Sequence, residues 1–123
     1  MMTSLKSYQD LEVWKKSMDL AELVYRLSSR FPQEEKFGLT SQIRRAAVSL
    51  PANIAEGAER NATGEFLQFL GIASGSLAET ETFLILAVRL GMVTNEQTSQ
   101  LQTQAADIGK MLNGLKRSLR SKN

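Results

Sequence analysis

The chain of 123 residues contains no cysteine and no histidine. Those two absences remove the Ser-His-Asp triad, the Cys-His pair and the usual zinc sites, because each needs an imidazole or a thiolate. No disulfide can staple the fold, which suits a reducing compartment. There are only two prolines, Pro32 and Pro51, and one tryptophan. No N-terminal stretch has the basic, apolar, small-residue order of a signal peptide. The longest purely apolar run, Phe83 to Val88, is far short of the roughly 20 residues a membrane span needs. The expectation is a soluble, cytoplasmic protein with no membrane role. Net charge is only +2, which by itself favours neither nucleic acid nor any other partner.

What is present is helical periodicity, read as one domain over residues 1–123. From Asp10 to Phe31 the polar positions Glu12, Lys15, Lys16, Asp19, Glu22, Arg26 and Arg30 trace one face of a helix. Leu11, Trp14, Met18, Ala21 and Tyr25 form the opposite stripe, with Val13, Leu20, Val24 and Leu27 beside it. Asp10 reads as the cap and Pro32 as the stop. "FPQEEKFG" is a loop. A second helix spans about 38–59. A third spans 64–90, with Thr63 expected to cap the Phe66 amide and Gly91 fitting the left-handed position past the helix end. A fourth spans 95–120, opened by "TNEQ", in which Thr94 and Gln97 have capping-box spacing. Its apolar seam is Leu101, Ala105, Ile108, Leu112, Leu115 and Leu119. Four amphipathic helices with short links predict an all-α, antiparallel up-down four-helix bundle.

"SLPANIAEG", residues 49–57, interrupts the second helix with a proline, an asparagine and a glycine. Pro51 has no amide hydrogen for the Ala47 carbonyl, and its ring crowds that carbonyl, so the helix kinks or restarts. A helix-interior proline costs about 3 kcal/mol, which something must offset. Either the helix ends at Leu50 and restarts with Asn53 as cap and Glu56 reaching back, or it runs through with a bend that Asn53 helps to satisfy.

Gln42, Arg45, Ser49, Asn53, Glu56 and Arg60 recur at steps of three and four, a polar stripe down this helix. It faces water, forms a hydrogen-bonded seam between subunits, or lines a small-molecule site. Glu56 and Glu59 are too isolated to make a catalytic centre. Neither a catalytic residue, a cofactor nor a metal site is expected. The third helix has the opposite character. Phe66, Leu67, Phe69, Leu70, Ile72, Leu77, Phe83, Leu84, Ile85 and Leu86 spread around most of its circumference. A helix apolar on more than one side must be covered on more than one side, which predicts a homo-oligomer. Gly71, Ser74 and Gly75 would let a neighbouring backbone approach, or would relieve crowding inside the bundle.

"YQDLEVWKKSMDL", "VYRLSSRFPQEEKFGLTSQIRRAAVSLPANIAEG", "FLQFLGIASGSLAETETFL" and "LGMV" together resemble the small four-helix bundle proteins encoded within intervening sequences of bacterial 23S rRNA genes. That family is labelled S23 ribosomal protein after its gene location. The accessory variability determinant of diversity-generating retroelements is similar. The resemblance implies an up-down bundle that assembles as a ring-like homopentamer, a second helix that runs through Pro51 with a kink, and no enzymatic activity. The retroelement relative implies a basic scaffold that binds nucleic acid and a reverse transcriptase.

This chain is less basic than that scaffold, but its charge is unevenly placed. Lys110, Lys116, Arg117, Arg120 and Lys122 close the chain with no acidic residue among them, and Arg44 and Arg45 are adjacent on the second helix. Two functions remain open. One is a nucleic-acid-binding oligomer (RNA or DNA) that contacts phosphate through Arg44, Arg45, Lys110, Lys116, Arg117, Arg120 and Lys122. The other is a protein-interaction scaffold whose ring surface or polar stripe, with Gln42, Ser49, Asn53, Glu56, Arg60, Gly71 and Gly75 as candidate interface residues, docks a protein partner.

Overall fold

A computed structural model describes residues 7–121. It contains four helices: α1 (Glu12–Ser28), α2 (Leu39–Ala58), α3 (Thr63–Arg89) and α4 (Asn95–Ser121). Short 3-10 turns at Tyr8–Asp10 and Gln33–Glu35 precede α1 and α2. Strands are absent from the described residues. Each helix packs on its neighbours in sequence, and α1 also packs on α4, while the backbones of the diagonal pairs stay apart. Side-chain bonds tie neighbours together: Arg44 of α2 meets Tyr25 and Ser28 near the end of α1, and Ser74 of α3 meets Lys116 far along α4.

The core is a column of fully buried aliphatics: Leu20 and Val24 from α1, Ile43, Leu50 and Ile54 from α2, Leu70 and Leu84 from α3, and Ile108 and Leu112 from α4. Fully burying each Leu or Ile contributes roughly 1.5–3 kcal/mol. The narrow seam expected on α4 is present, with Leu101, Ala105, Ile108 and Leu112 buried and Leu115 and Leu119 packed at its margin. On α1 the buried line is Val13, Ser17, Leu20, Val24 and Leu27. Met18 and Tyr25, expected on the inner stripe, are 39% and 43% exposed. Ala21 of that stripe is buried, but the inward face is centred on the neighbouring Val13, Leu20, Val24 and Leu27, and it takes in Ser17.

Two caps differ from expectation. Asp10 does not cap α1; its carboxylate accepts the Ser7 amide across the preceding turn, and Leu11 occupies the cap position without a side-chain bond. Thr63 is the first residue of α3, so the Phe66 amide donates to the Ala62 carbonyl at 3.1 Å instead. The α3–α4 link follows the sequence closely. Gly91 has φ 75°, and the Gly91 and Met92 amides donate to the Val88 and Ala87 carbonyls, closing a Schellman motif. The Thr94 amide donates to Gln97 Oε1 at 2.8 Å, and the Gln97 amide to Thr94 Oγ1 at 3.1 Å, a complete capping box.

The puzzle of residues 49–57 resolves in favour of a continuous helix, since Pro51 lies inside α2. Asn53 donates to the Ser49 carbonyl at 2.8 Å, and Glu56 pairs with Arg60 rather than reaching back to a restarted helix. The glycine is explained by α3. A Cβ on Gly57 would stand 2.7 Å from Phe69 Cβ and 3.0 Å from Phe66 Cδ1, closer than carbon atoms tolerate. Its missing side chain lets α2 and α3 meet at the end where they are joined.

Two substitutions test this packing by urea denaturation. Gly57→Ala adds helix propensity but overpacks the α2–α3 corner, and a net loss of about 1 kcal/mol is expected. Ser17 is fully buried and its Oγ has no partner among the described residues. An orphaned hydroxyl costs about 1–3 kcal/mol, so Ser17→Ala should raise stability by about 1 kcal/mol.

Candidate functional site

The outer face of α3 is sparsely charged, with exposed Glu79 at the edge of its centre line and exposed Arg89 closing it. Gly71, Gly75, Ala78, Thr82 and Leu86 follow one another at steps of four and three, all exposed. Beside them Ile72 is 47%, Ile85 51% and Leu90 58% exposed, and Leu86 itself 39%. A Cβ added to Gly71 or Gly75 would meet nothing within 4 Å, so neither glycine relieves crowding inside the bundle. Among the described residues α3 is the one helix long and apolar enough to cross a membrane by length and composition, yet only 33% of that stretch is buried. The surplus is this ridge. Contiguous exposed apolar surface of this kind marks a contact site.

The basic residues are dispersed. Arg44 is half-buried: its Nε donates to Ser28 Oγ at 2.7 Å, its Nη2 to the Tyr25 carbonyl at 3.2 Å, and its guanidinium stacks 4.7 Å from the Tyr25 ring centroid. A cation there suits the negative end of the α1 dipole. Lys116 donates to Ser74 Oγ at 2.6 Å, tying α4 to α3. Arg45, Lys110, Arg117 and Arg120 are exposed. Lys110 and Arg117, two turns apart, share a face of α4, whereas Arg45 stands on the diagonal helix. Lys122 lies outside the described residues.

The polar stripe of α2 divides. Gln42, Arg45, Glu56 and Arg60 are exposed, with Arg60 placed 4.8 Å over the Phe69 ring. Ser49 and Asn53 turn toward α3, where Ser76 Oγ donates to Ser49 Oγ at 2.9 Å and Asn53 Nδ2 donates to the same oxygen at 2.9 Å. The middle of the stripe is therefore a hydrogen-bonded seam within the subunit.

Between α1 and α2 lies an open groove of about 640 Å³, lined by Tyr8, Trp14, Met18, Tyr25, Val48 and Pro51 among others. Trp14, expected on the inner face, is half-exposed here, edge-on to Tyr8 with centroids 5.3 Å apart. Glu22 and Arg26 pair at its rim. The groove presents no nucleophile with a base beside it, and no cluster among the described residues could hold a metal ion. Sequence reasoning missed the groove because Trp14, Met18 and Tyr25 were placed on the inner face of α1.

Residues 9–114 match the 23S rRNA-intervening sequence protein family. The fold is also that of a crystal structure from Bacteroides thetaiotaomicron, a protein of unknown function in the S23 ribosomal protein family. The two chains are 31% identical, superpose with a TM-score of 0.78, and the match covers 84% of this chain and 96% of that one. No curated protein matches.

The two adjacent arginines should separate cleanly. Arg44→Gln is expected to lower stability by about 1–2 kcal/mol in urea, through lost hydrogen bonds at the end of α1. Arg45→Gln should change it by less than about 0.5 kcal/mol.

Proposed function

This chain belongs to the 23S rRNA-intervening sequence protein family, and from that premise we propose that it is a non-enzymatic homo-oligomer whose copies cover one another's α3 ridges and pool their basic surfaces to hold nucleic acid. The observation that carries the reading is the exposed apolar ridge. Its half-exposed isoleucines and leucines each offer about 1 kcal/mol on being covered, and its glycines leave room for a second helix. The resemblance to ring-forming bundles sets the expected number of copies at five. Within such a ring the exposed Lys110, Arg117 and Arg120 of every copy recur, so phosphate contacts multiply and binding is sequence-independent and salt-sensitive. Arg45 adds a separate positive point, Lys116 is engaged by Ser74, and Arg44 stands apart at the end of α1 with two of its donors engaged there. The cysteine-free composition supports a cytoplasmic setting. The competing reading is a scaffold that docks a protein, such as a reverse transcriptase, and binds no nucleic acid.

Sedimentation at micromolar concentration should give a particle several times 13.6 kDa, and the double substitution Ile85→Asp with Leu86→Glu should reduce it to one chain. A stable monomer in the unsubstituted protein would overturn the assembly. Labelled RNA and duplex DNA, titrated at two salt concentrations, test the second half. Truncation after Asn113 would also remove Leu115 and Leu119 from the core margin, so Lys110→Gln, Arg117→Gln and Arg120→Gln are combined instead. Binding at low salt that this variant abolishes supports the nucleic-acid reading; no binding leaves the protein scaffold.

A further inference from the structure

Phe37 is 89% exposed, an extreme position for a phenylalanine. It stands in the α1–α2 loop beside Lys36, whose Nζ lies 5.5 Å from the ring centroid. Lys36 also lines a recess of about 310 Å³ at this corner, together with Gln33, Thr40 and Arg44. The recess combines the apolar Phe31 and Pro32 with two cations, three hydroxyls and an amide, and no carboxylate lines it. Of the two nearby acids, Glu35 is turned away, its Oε1 accepting the Leu39 amide at 3.0 Å, and Glu34 points to solvent.

Arg44 supplies the second observation. It is half-buried, and no carboxylate among the described residues pairs with it or with Lys36. The α1 carbonyls that hold it carry only partial charge, equivalent to about half an electron for a whole helix end. The full charge of the guanidinium is therefore only partly balanced at this end of the bundle. Its two recorded bonds use two of five N–H donors, so the fork is oriented by the protein with donors to spare. Thr40 Oγ1 has no partner among the described residues either, and the Gln33 side chain is exposed.

We propose that this corner is a nucleotide site: Lys36, Arg44 and Thr40 hold a phosphate, and the Phe37 ring carries the base. A phosphate satisfies both cations at once, with the guanidinium fork and the ammonium as complementary donors. An aromatic face in full solvent beside a phosphate subsite is the arrangement that stacks an unpaired base. Bases inside a duplex are already stacked on their neighbours, so the site selects single strands or free nucleotides over duplex. It lies at the end of the bundle away from the last turns of α4 and does not use Lys110, Arg117 or Arg120. It extends the nucleic-acid reading to a second locus without depending on the first.

Phe37 and Lys36 are exposed, so Phe37→Ala and Lys36→Gln leave the fold intact. Fluorescein-labelled oligouridylate and a duplex of equal length serve as strand probes. Uridine monophosphate and inorganic phosphate, followed by amide chemical shifts over residues 33–44, separate a free nucleotide from a strand. The expected result is tighter binding of oligouridylate than of duplex, weakened about tenfold by Phe37→Ala. Lys36→Gln should lower the salt slope by about one, and both small probes should move the Lys36 and Thr40 amides. Equal strand affinity of Phe37→Ala and the unsubstituted protein would overturn the site, as would unmoved amides. A change in oligomer size without a change in strand affinity would also overturn it and make Phe37 a protein contact. Binding sensitive to Phe37→Ala that survives the combined Lys110, Arg117 and Arg120 substitutions supports this site and removes the α4 reading. The reverse pattern keeps α4 and removes this site.

Discussion

The close approach of α2 and α3 at Gly57 governs the rest of the bundle. With a hydrogen in place of a side chain, Phe66 and Phe69 of α3 lie directly against the α2 backbone. That contact fixes the rotation of α3. Once those rings point inward, Leu70, Ala73, Leu77 and Leu84 follow them into the core at helical spacing, and Gly71, Gly75 and Leu86 are carried to the outside. The exposed ridge is thus the geometric complement of the tight corner. A rotation that hid the ridge would withdraw the two rings.

Small hydroxyls do comparable positioning elsewhere along the bundle. Ser76 and Ser49 join α3 to α2, and Thr80 satisfies itself on the Ser76 carbonyl while fully buried. Ser28 receives Arg44 at the end of α1. Each is short enough to be buried without opening a void, and each has a partner within reach; Ser17 is the exception. These bonds contribute about 1 kcal/mol apiece, but they discriminate strongly against slipped registers, because a slip would leave several polar groups buried and unpaired at once.

Much of the fold was legible because it is written locally. The Thr94–Gln97 box, the Gly91 turn and the α4 seam are decided within a few residues of themselves. The misreadings on α1 share one cause. Its apolar stripe is wide, and periodicity fixes the axis of such a stripe but not which edge faces inward. The choice was made by α2 and α4, which admit Ser17 and leave Met18 and Tyr25 outside. Asp10 and Thr63 had the chemistry of caps, but the chain enters each helix one or two residues away from where they could act. The candidate surfaces were half legible. Apolar excess on α3 was visible from composition, whereas the engagement of Arg44 and Lys116 depends on residues 16 and 42 positions away. The exposed Phe37 could have been noticed beside Lys36, but nothing local distinguishes it from the buried Phe31.

The half-exposed indole in the α1–α2 groove has an optical consequence. Trp14 is the sole tryptophan, and its ring sits edge-on to Tyr8 in an open apolar cleft on the far side of α1 and α2 from the ridge. Its emission wavelength therefore tracks the wetness of that cleft alone. Any body that settles there would shift the spectrum to the blue, while one that covers α3 would leave the colour unchanged. The molecule carries its own dye for telling which of its two greasy faces has been occupied.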